Sequence, residues 1–253
     1  MLFRSVTQLG AILSSDFGRR TLVVDLHPNF GDAALYLGLT KHRYHSFELL
    51  ESTDRLDAEL LESLVVRHSS GLDFVPGPEE IEAVRHIMPG AVAETFDFLR
   101  LRYEFILVDL PTGINEQSAH FLPYADYIYL VTVAEVSALR NVARFVDYMT
   151  QREIPLERIR VVVNRNDKRN PLPEAQIEKA IRQKIFWKVP NAYNQVLQSI
   201  HGGDPLANLN RSEVLRSLRG FAEAIGAKVG ATEGPKKESR GGLLGLFGLS
   251  NAR

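Results

Sequence analysis

Cysteine is absent from the 253-residue sequence. Its absence excludes a disulfide framework, a thiolate nucleophile and a zinc site built from cysteine, and it is compatible with a reducing cytoplasm. Long hydrophobic runs are absent too, because the chain contains neither a stretch of about 18 apolar residues nor a secretory signal pattern. We therefore expect a cytoplasmic protein without a transmembrane segment.

An excess of charge of either sign is also missing. Lys and Arg together number 30 and Asp and Glu together number 31, which gives a formal net charge of -1. Since no block of Lys and Arg compensates locally, we expect no nucleic-acid partner. The hydrophobic fraction of 45% and the charged fraction of 24% are typical of a chain that buries one large core or two small ones. A single α/β domain is the simplest prediction.

The sequence contains two short apolar segments, TLVVDL from Thr21 and FILVDL from Phe105, and each has an acid as its second-last residue. Segments of this length that are apolar on both faces are typical of parallel strands covered by helices on both sides. The acids, Asp25 and Asp109, then lie at the carboxyl edge of the sheet, where open α/β sheets bind ligands. Both are candidate site residues. The alternative is that each carboxylate only caps a turn or the following helix.

Helical and strand patterns alternate along the remainder of the chain. The pattern predicts further strands over 72–75, 127–133, 159–163 and 185–189. It predicts helices over 3–16, 33–39, 47–50, 57–66, 91–101, 116–122, 135–150, 174–181, 191–200 and 211–225. Strands separated by helices imply right-handed crossovers. We therefore predict a doubly wound, mostly parallel sheet with helices on both faces, formed by residues 1–227.

The composition changes after this domain. Residues 228–240 are rich in Gly, Lys, Glu, Pro and Ser and cannot bury enough apolar area to fold alone, so we predict a flexible linker. Residues 241–253, GGLLGLFGLSNAR, are apolar again. This tail is expected to make a weak contact with a membrane surface or a hydrophobic groove of a partner. The alternatives are a disordered tail and one folded back on its own domain.

Several segments, in order, resemble the MinD/ParA family of deviant-Walker ATPases, and most closely its CpaE/TadZ branch. They are TLVVDLHPNFGDAALYLGL, FILVDLPTG, VSALRNVARFVDYM, VVVNRND and KVPNAYNQVLQSIHGGDPLA. The resemblance covers nearly all of residues 3–225. It implies a P-loop NTPase-like fold in which Asp109 is the Walker B acid on the magnesium side of a nucleotide. It implies a catalytic role for Asp25 as well.

The resemblance also implies residues on the base side of a nucleotide. Asn164 would contact adenine through its amide, and Pro190 and Asn191 would lie beside the base through their backbone groups. Each assignment has a structural alternative, because a strand-end Asn can satisfy a turn and Asn191 can cap a helix N-terminus. Trp187 is most simply a core or half-buried aromatic residue.

The sequence departs from the family at the phosphates. Family members open with a strand and a KGGxGKT-type loop, whereas no GxxxxGK[ST] motif occurs anywhere in the 253 residues. His27 stands where the family has a second acid, two residues after Asp25. Because no residue at metal-ligand spacing accompanies it, we predict that His27 is a polar surface residue rather than a ligand.

Two explanations for the missing loop are open: the recorded start lies downstream of the true one, or the protein has lost hydrolysis. The first is favoured, because the family places the missing strand in the middle of the sheet. Without it, two neighbouring strands would have unpaired backbone groups, each costing about 1 to 3 kcal/mol if buried. In both cases the 253 residues are not expected to hydrolyse ATP efficiently. ATP and Mg²⁺ are expected cofactors only of a form that carries the loop.

Two functions are compatible with these patterns. The leading expectation is a CpaE/TadZ-like assembly and localisation factor for a pilus or secretion apparatus, which acts by binding its partners. The alternative is a MinD/ParA-type ATPase switch between a monomer and a nucleotide-bound homodimer. Pilus or secretion assembly proteins, a second copy of the chain and the inner-membrane surface are the expected contacts. Chromosome partition finds little support, because it needs a basic DNA-binding surface.

Overall fold

The predicted alternation of helices and strands is present in a computed structural model of the chain. The structure describes residues 5–28, 31–39, 42–79, 87–113, 116–167, 172–201, 204, 206, 209 and 212–229, with only the backbone described at 116–117, 200–201 and 227–229. The strands are β1 (Thr21–Asp25), β2 (Val66–Arg67), β3 (Asp73–Val75), β4 (Phe105–Asp109), β5 (Ile128–Thr132), β6 (Ile159–Asn166) and β7 (Ile185–Pro190).

The helices connect these strands in the predicted order. They are α1 (Ser5–Ser15), α2 (Ala33–Tyr36), α3 (Ser46–Glu51), α4 (Ala58–Leu64), α5 (Pro89–Arg100), α6 (Glu116–Ala119), α7 (Val136–Thr150), α8 (Glu174–Ile181), α9 (Tyr193–His201) and α10 (Glu213–Val229). The start of α1 predicted at residue 3 and the predicted tail at 241–253 lie outside the described residues. Helix α10 continues two residues into the segment predicted as a linker, and residues 230–240 of that segment are also outside the description.

The strands form two sheets. In the first sheet the order is β2-β3-β1-β4, and only β2 pairs antiparallel with its neighbour. In the second sheet the order is β5-β6-β7 and all pairs are parallel. The short strand β2 was not predicted, because two residues at the end of a helical pattern carry no strand signal of their own. The predicted α/β class with a mostly parallel sheet is confirmed.

The division between the two sheets falls between β4 and β5. Each is an end strand of its sheet, and within the described residues neither is hydrogen-bonded to the other. Burial reflects this arrangement: all five residues of β1 are buried, whereas four of the five residues of β4 are only half-buried. On β5, Val131 is 39% exposed.

Helices cover both faces of the sheets, as the fold class predicts. One apolar cluster joins α1, α10, β4, β6 and β7 through residues that include Ile12, Phe105, Val162, Leu218 and Phe221, so α1 and α10 span both sheets. On the opposite side α3, α4 and α5 pack on the first sheet, and α7 and α8 pack on the second. The division between β4 and β5 is therefore bridged by a shared helical layer.

Trp187 belongs to this shared layer. Its ring is stacked on Phe221 with the centroids 5.8 Å apart, and its Nε1 donates to Ser217 Oγ at 3.1 Å. The prediction of a half-buried aromatic residue is confirmed. Because the indole N–H has a partner, the ring can be partly buried without an unsatisfied donor.

A cluster of polar side chains links β2, β3 and the residues before β4 in the first sheet. Asp73 of β3 accepts hydrogen bonds from Arg67 Nε at 2.8 Å and from the Tyr103 hydroxyl at 2.9 Å. Burial, followed by the negative charge of Asp73, raises the pKa of Tyr103 well above its ordinary range. Tyr103 therefore stays a neutral hydrogen-bond donor, and it links the start of β4 to β3. Within the described residues, no helix combines the length and the apolarity needed to cross a membrane.

Candidate functional site

Asp25 and Asp109 lie side by side at the carboxyl edge of the first sheet. The parallel register of β1 and β4 pairs Thr21 with Phe105 and continues in step until Asp25 pairs with Asp109. The backbone N–H of Leu26 donates to the carbonyl of Asp109 at 2.9 Å, which extends the pairing past the acids. Two acids that are 84 positions apart in the sequence are thus brought level by strand pairing alone.

The carboxylate of Asp25 is fully buried, and its hydrogen bonds include contacts with His27 and Ala33. Its Oδ1 accepts from the backbone N–H of His27 at 3.0 Å and lies 2.9 Å from His27 Nδ1. Its Oδ2 accepts from the backbone N–H of Ala33, the first residue of α2, at 3.3 Å. The side chain of Asp25 has no exposed surface. Asp25 therefore organises the turn between β1 and α2, as the structural alternative for this residue proposed.

The premise that no residue at metal-ligand spacing accompanies His27 is wrong, whereas the choice between a polar residue and a ligand stays a prediction. The side chain of His27 is only 19% exposed, and its Nδ1 lies 2.9 Å from Asp25 Oδ1 and 3.9 Å from Asp109 Oδ2. One ligand atom from each of these three side chains lies within 4.8 Å of the others. The sequence contained one indication that His27 lies near a carboxylate, because His27 follows Asp25 by two residues. Its second neighbour, Asp109, comes from another strand and could not be read from local spacing.

Two glycines allow the loop over Asp25 to pack closely. A Cβ atom on Gly31 would lie 2.7 Å from the Cα of Gly77, and a Cβ atom on Gly77 would lie 3.1 Å from the Cγ of Asp25. The backbone N–H of Gly31 also donates to the carbonyl of Pro78 at 2.9 Å. A side chain at Gly31 would displace the backbone at Gly77, and a side chain at Gly77 would press on the carboxylate of Asp25. The two glycines therefore leave room for the backbone of residues 31 and 77 to approach each other beside Asp25.

Asn164 lies inside β6 rather than at its end, because β6 continues to Asn166. Its side chain is buried, with 3% of its surface exposed, and its Oδ1 accepts from the backbone N–H of Arg165 at 2.8 Å. Its Nδ2 makes no hydrogen bond within the part of the chain that the structure describes. Arg165 adopts a left-handed backbone conformation with φ of 50°, which turns the strand immediately after Asn164. Asn164 thus accepts a hydrogen bond within the turn through its side-chain oxygen, and its NH₂ group remains available as a donor.

Pro190 and Asn191 lie beside the end of β6. Pro190 pairs with Asn166, and the backbone N–H of Asn191 donates to the carbonyl of Asn166 at 3.1 Å. The predicted strand ended at residue 189, before Pro190, whereas in the structure Pro190 is the last residue of β7. Helix α9 begins at Tyr193, which places Ala192, not Asn191, directly before the helix.

The candidate residues thus form two groups. Asp25, His27 and Asp109 meet at the edge of the first sheet, whereas Asn164 lies in β6 of the second sheet, two residues before the Asn166 that pairs with Pro190. The first group offers two carboxylates and an imidazole, which suit a divalent cation. The second group offers a buried amide N–H and backbone groups, which suit hydrogen bonding to a planar ligand.

Sequence relatives of the chain bind ATP or partition chromosomes according to their names. An uncharacterised ATP-binding protein of Methanocaldococcus jannaschii is 23% identical over 190 residues, which covers 73% of this chain and 68% of that protein. The chromosome partitioning protein ParA of Caulobacter vibrioides is 25% identical over 205 residues, covering 73% of this chain and 72% of that protein. No protein-family model matches the chain.

Solved structures show the same fold. A ParA family ATPase from Chlorobium tepidum superposes with a TM-score of 0.78 at 25% identity and covers 87% of this chain and 92% of its own. The septum site-determining protein MinD of Pyrococcus horikoshii, in complex with Mg-ADP, superposes with a TM-score of 0.73 at 19% identity, covering 89% and 91%. The chain therefore has the P-loop NTPase-like fold of the MinD/ParA ATPases, with homologues and structural neighbours in that family.

Proposed function

We propose that the chain is a positioning protein of the MinD/ParA type that acts by binding partners rather than by turning over nucleotide. The observation that carries this proposal is the pairing of Asp25 with Asp109 at the carboxyl edge of a MinD/ParA-type sheet. A carboxylate at this place suits the metal of a Mg²⁺–nucleotide. The fold and its acids are thus retained, while the 253 residues contain no GxxxxGK[ST] loop.

The residues present fit the two ends of a Mg²⁺–adenine nucleotide but not its middle. Asp109, with Asp25 beside it, would hold the metal, and the free amide donor of Asn164, with the backbone at Pro190 and Asn191, would meet the base. The metal would neutralise phosphate charge. The phosphates themselves need a cradle of backbone N–H groups and a lysine, which the sequence does not supply in the family's form. We therefore propose binding without efficient hydrolysis.

Calorimetry with Mg²⁺-ATP and an assay of phosphate release test this proposal on the 253-residue chain. We expect weak binding at best and no ATP turnover above background. Magnesium-dependent binding with a micromolar dissociation constant would contradict the proposal. The matched variant is Asp109→Asn, which removes charge at the metal with almost no change of shape, and it should weaken any magnesium-dependent component.

A second candidate, the ATPase switch, is favoured by the division between β4 and β5. Strands β4 and β5 are end strands that pair in parallel with β1 and β6, so each has an edge with which one further parallel strand could pair. A strand followed by a Gly-rich lysine loop, encoded in frame upstream of Met1, would support this candidate. In a form that carries such a loop, Asp109→Asn should strongly reduce hydrolysis and leave the fold intact. Hydrolysis at the unchanged rate would remove Asp109 from the mechanism.

Within the first candidate, we assign the chain to the assembly and localisation of a pilus or secretion apparatus, as in the CpaE/TadZ branch. Sequence segments such as TLVVDLHPNFGDAALYLGL and VVVNRND support this assignment, and assembly proteins of that apparatus and a second copy of the chain are its proposed partners. Deleting the gene from its native host should abolish surface assembly. Complementation by both the natural sequence and Asp109→Asn would show that binding suffices. Normal assembly without the gene would contradict the assignment.

The proposed site of action is the cytoplasm, at the inner-membrane surface. The proposed linker, which after the end of α10 is reduced to residues 230–240, and the apolar segment 241–253 support this proposal, and both lie outside the described residues. Sedimentation with anionic liposomes tests it by comparing the full chain with a version that ends at Ser239. If both sediment equally, the tail is not the membrane contact.

A further inference from the structure

We propose that Asp25, His27 and Asp109 form a binding site for a divalent transition-metal ion of the Zn²⁺ and Co²⁺ class, independent of any nucleotide. The ligands are a carboxylate oxygen of Asp25, the Nδ1 atom of His27 and a carboxylate oxygen of Asp109. This proposal does not rest on the function proposed above, because it requires neither phosphate nor base. It rests on His27, whose ring nitrogen joins the two carboxylates in one group of possible ligand atoms.

The distances between the ligand atoms are close to those of a coordinated metal. His27 Nδ1 lies 2.9 Å from Asp25 Oδ1 and 3.9 Å from Asp109 Oδ2, and the three ligand atoms lie within 4.8 Å of one another. Zinc bonds to nitrogen and oxygen are about 2.1 Å long, so tetrahedral ligand atoms are about 3.4 Å apart. The two distances bracket that value. Small rotations of the His27 and Asp109 side chains would therefore bring all three ligands onto one ion.

The site is built into the fold rather than formed by mobile surface groups. The carboxylate of Asp25 is fixed from behind by the backbone N–H of Ala33, and Gly77 packs against its Cγ. The register of β1 and β4 fixes the backbone of Asp109. His27 is held by its own backbone N–H, which donates to Asp25 Oδ1 at 3.0 Å. Each ligand thus has a support that persists when a metal replaces the contact between His27 Nδ1 and Asp25.

The exposure of the ligands gives the ion a way in. Asp25 is fully buried, whereas the side chains of His27 and Asp109 are 19% and 20% exposed. A metal bound here would have protein ligands on its inner side and positions open to water on its outer side. Three protein ligands with an open position are the arrangement found in catalytic rather than structural zinc sites.

The imidazole decides which metal is preferred. Mg²⁺ favours oxygen ligands and gives up its waters reluctantly, whereas imidazole suits zinc and its transition-metal neighbours. A set of two carboxylates and one imidazole therefore favours Zn²⁺ or Co²⁺ over Mg²⁺. The competing explanation is that the ring of His27 only donates a hydrogen bond to Asp25 and fastens the turn. The two explanations predict different Zn²⁺ affinities for a variant at position 27 that can still donate a hydrogen bond to Asp25 but has no imidazole ring.

His27→Asn is that variant, because its Nδ2 can donate to Asp25 much as Nδ1 does. Zn²⁺ alone, added to the untagged 253-residue chain without nucleotide, should bind at one site in calorimetry, and Co²⁺ should give visible absorption bands. We expect His27→Asn to weaken Zn²⁺ binding by at least about tenfold and to remove the bands. Asp109→Asn should weaken binding as well. The matched control is His68→Asn, whose ring contacts Ser70 outside the site and whose loss should leave Zn²⁺ binding unchanged.

His27→Asp provides an independent test. It returns the site to oxygen ligands only, so it should lower the affinity for Zn²⁺ and Co²⁺ relative to that for Mg²⁺. Thermal unfolding without metal shows whether each variant is folded, and a folded His27→Asn that binds Zn²⁺ like the natural chain would overturn the proposal. The absence of Zn²⁺ and Co²⁺ binding by the natural chain would overturn it as well. Neither result would depend on whether the protein binds ATP.

Discussion

Asp25→Asn is expected to destabilise the protein, whereas Asp109→Asn is expected to be tolerated. The carboxylate of Asp25 has no exposed surface, and the donors that it meets include two from His27 and one from Ala33. An Asn side chain has one oxygen and one NH₂ group, so in either orientation its NH₂ group points at a backbone N–H. At least one buried donor then loses its acceptor.

The magnitude follows from the cost of that unsatisfied donor. A buried donor without a partner costs about 1 to 3 kcal/mol, and we expect a loss of about 2 kcal/mol in the free energy of unfolding. For a chain of this size each kcal/mol lowers the melting temperature by about 2 to 4 °C, so Asp25→Asn should lower it by about 4 to 8 °C. The side chain of Asp109 is 20% exposed. Its Asn variant can direct the NH₂ group to water and should change stability by less than about 0.5 kcal/mol.

Urea titration and thermal unfolding of the three proteins, followed by circular dichroism in metal-free buffer, measure both changes. Equal midpoints for Asp25→Asn and Asp109→Asn would refute the argument that hydrogen bonding to Asp25 stabilises the turn. The expected difference also has a practical consequence. Loss of ligand binding in an Asp25 variant combines a binding effect with a folding effect, so Asp109→Asn is the cleaner probe of the site.

Three further predictions concern other parts of the fold. Gly10→Ala should destabilise the packing of α1 on β1, because a Cβ atom there would lie 2.7 Å from Val23 Cγ2. Thermal unfolding should show a lower melting temperature for this variant. The control is Gly90→Ala, whose added Cβ atom would meet nothing within 4 Å and should not lower the melting temperature. Burial lowers the pKa of His68 below its ordinary value of 6.5, so its contribution to stability is present above pH 6.5 and is lost as the pH falls through the lowered pKa. The free energy of unfolding should therefore decrease below pH 6.5 by at most about 1.4 kcal/mol per pH unit from this group, and a His68→Gln variant whose pH dependence is unchanged would contradict this. Hydrogen exchange should be slower in β6, which is paired on both sides, than at the amides of β4 and β5 that face the division, and equal protection in all three strands would show that the two edges are covered.

Local sequence pattern was sufficient to predict most of the elements. The apolar segments at Thr21 and Phe105 predicted β1 and β4 because side chains covered on both faces of a parallel sheet must be apolar over the whole strand. Helix α8 occupies the predicted residues 174–181, since its apolar positions repeat at helical spacing and Pro173 precedes it. Boundaries shifted where the signal is weak. Helix α2 has four residues instead of the predicted seven, and β6 continues three residues past the predicted end.

The composition and motifs of the chain by themselves determined that cysteine chemistry is excluded, that an α/β fold forms and that acids end two of its strands. Tertiary structure decided which side chains meet. Asp109 reaches Asp25 and His27 only because the register of two parallel strands, 84 residues apart in the chain, ends in step. The neighbours of His27 were missed for this reason, since spacing along one segment contains no information about a neighbouring strand. The division between β4 and β5 is likewise a property of strand pairing, because hydrogen bonds between distant segments depend on the whole fold and not on local propensity.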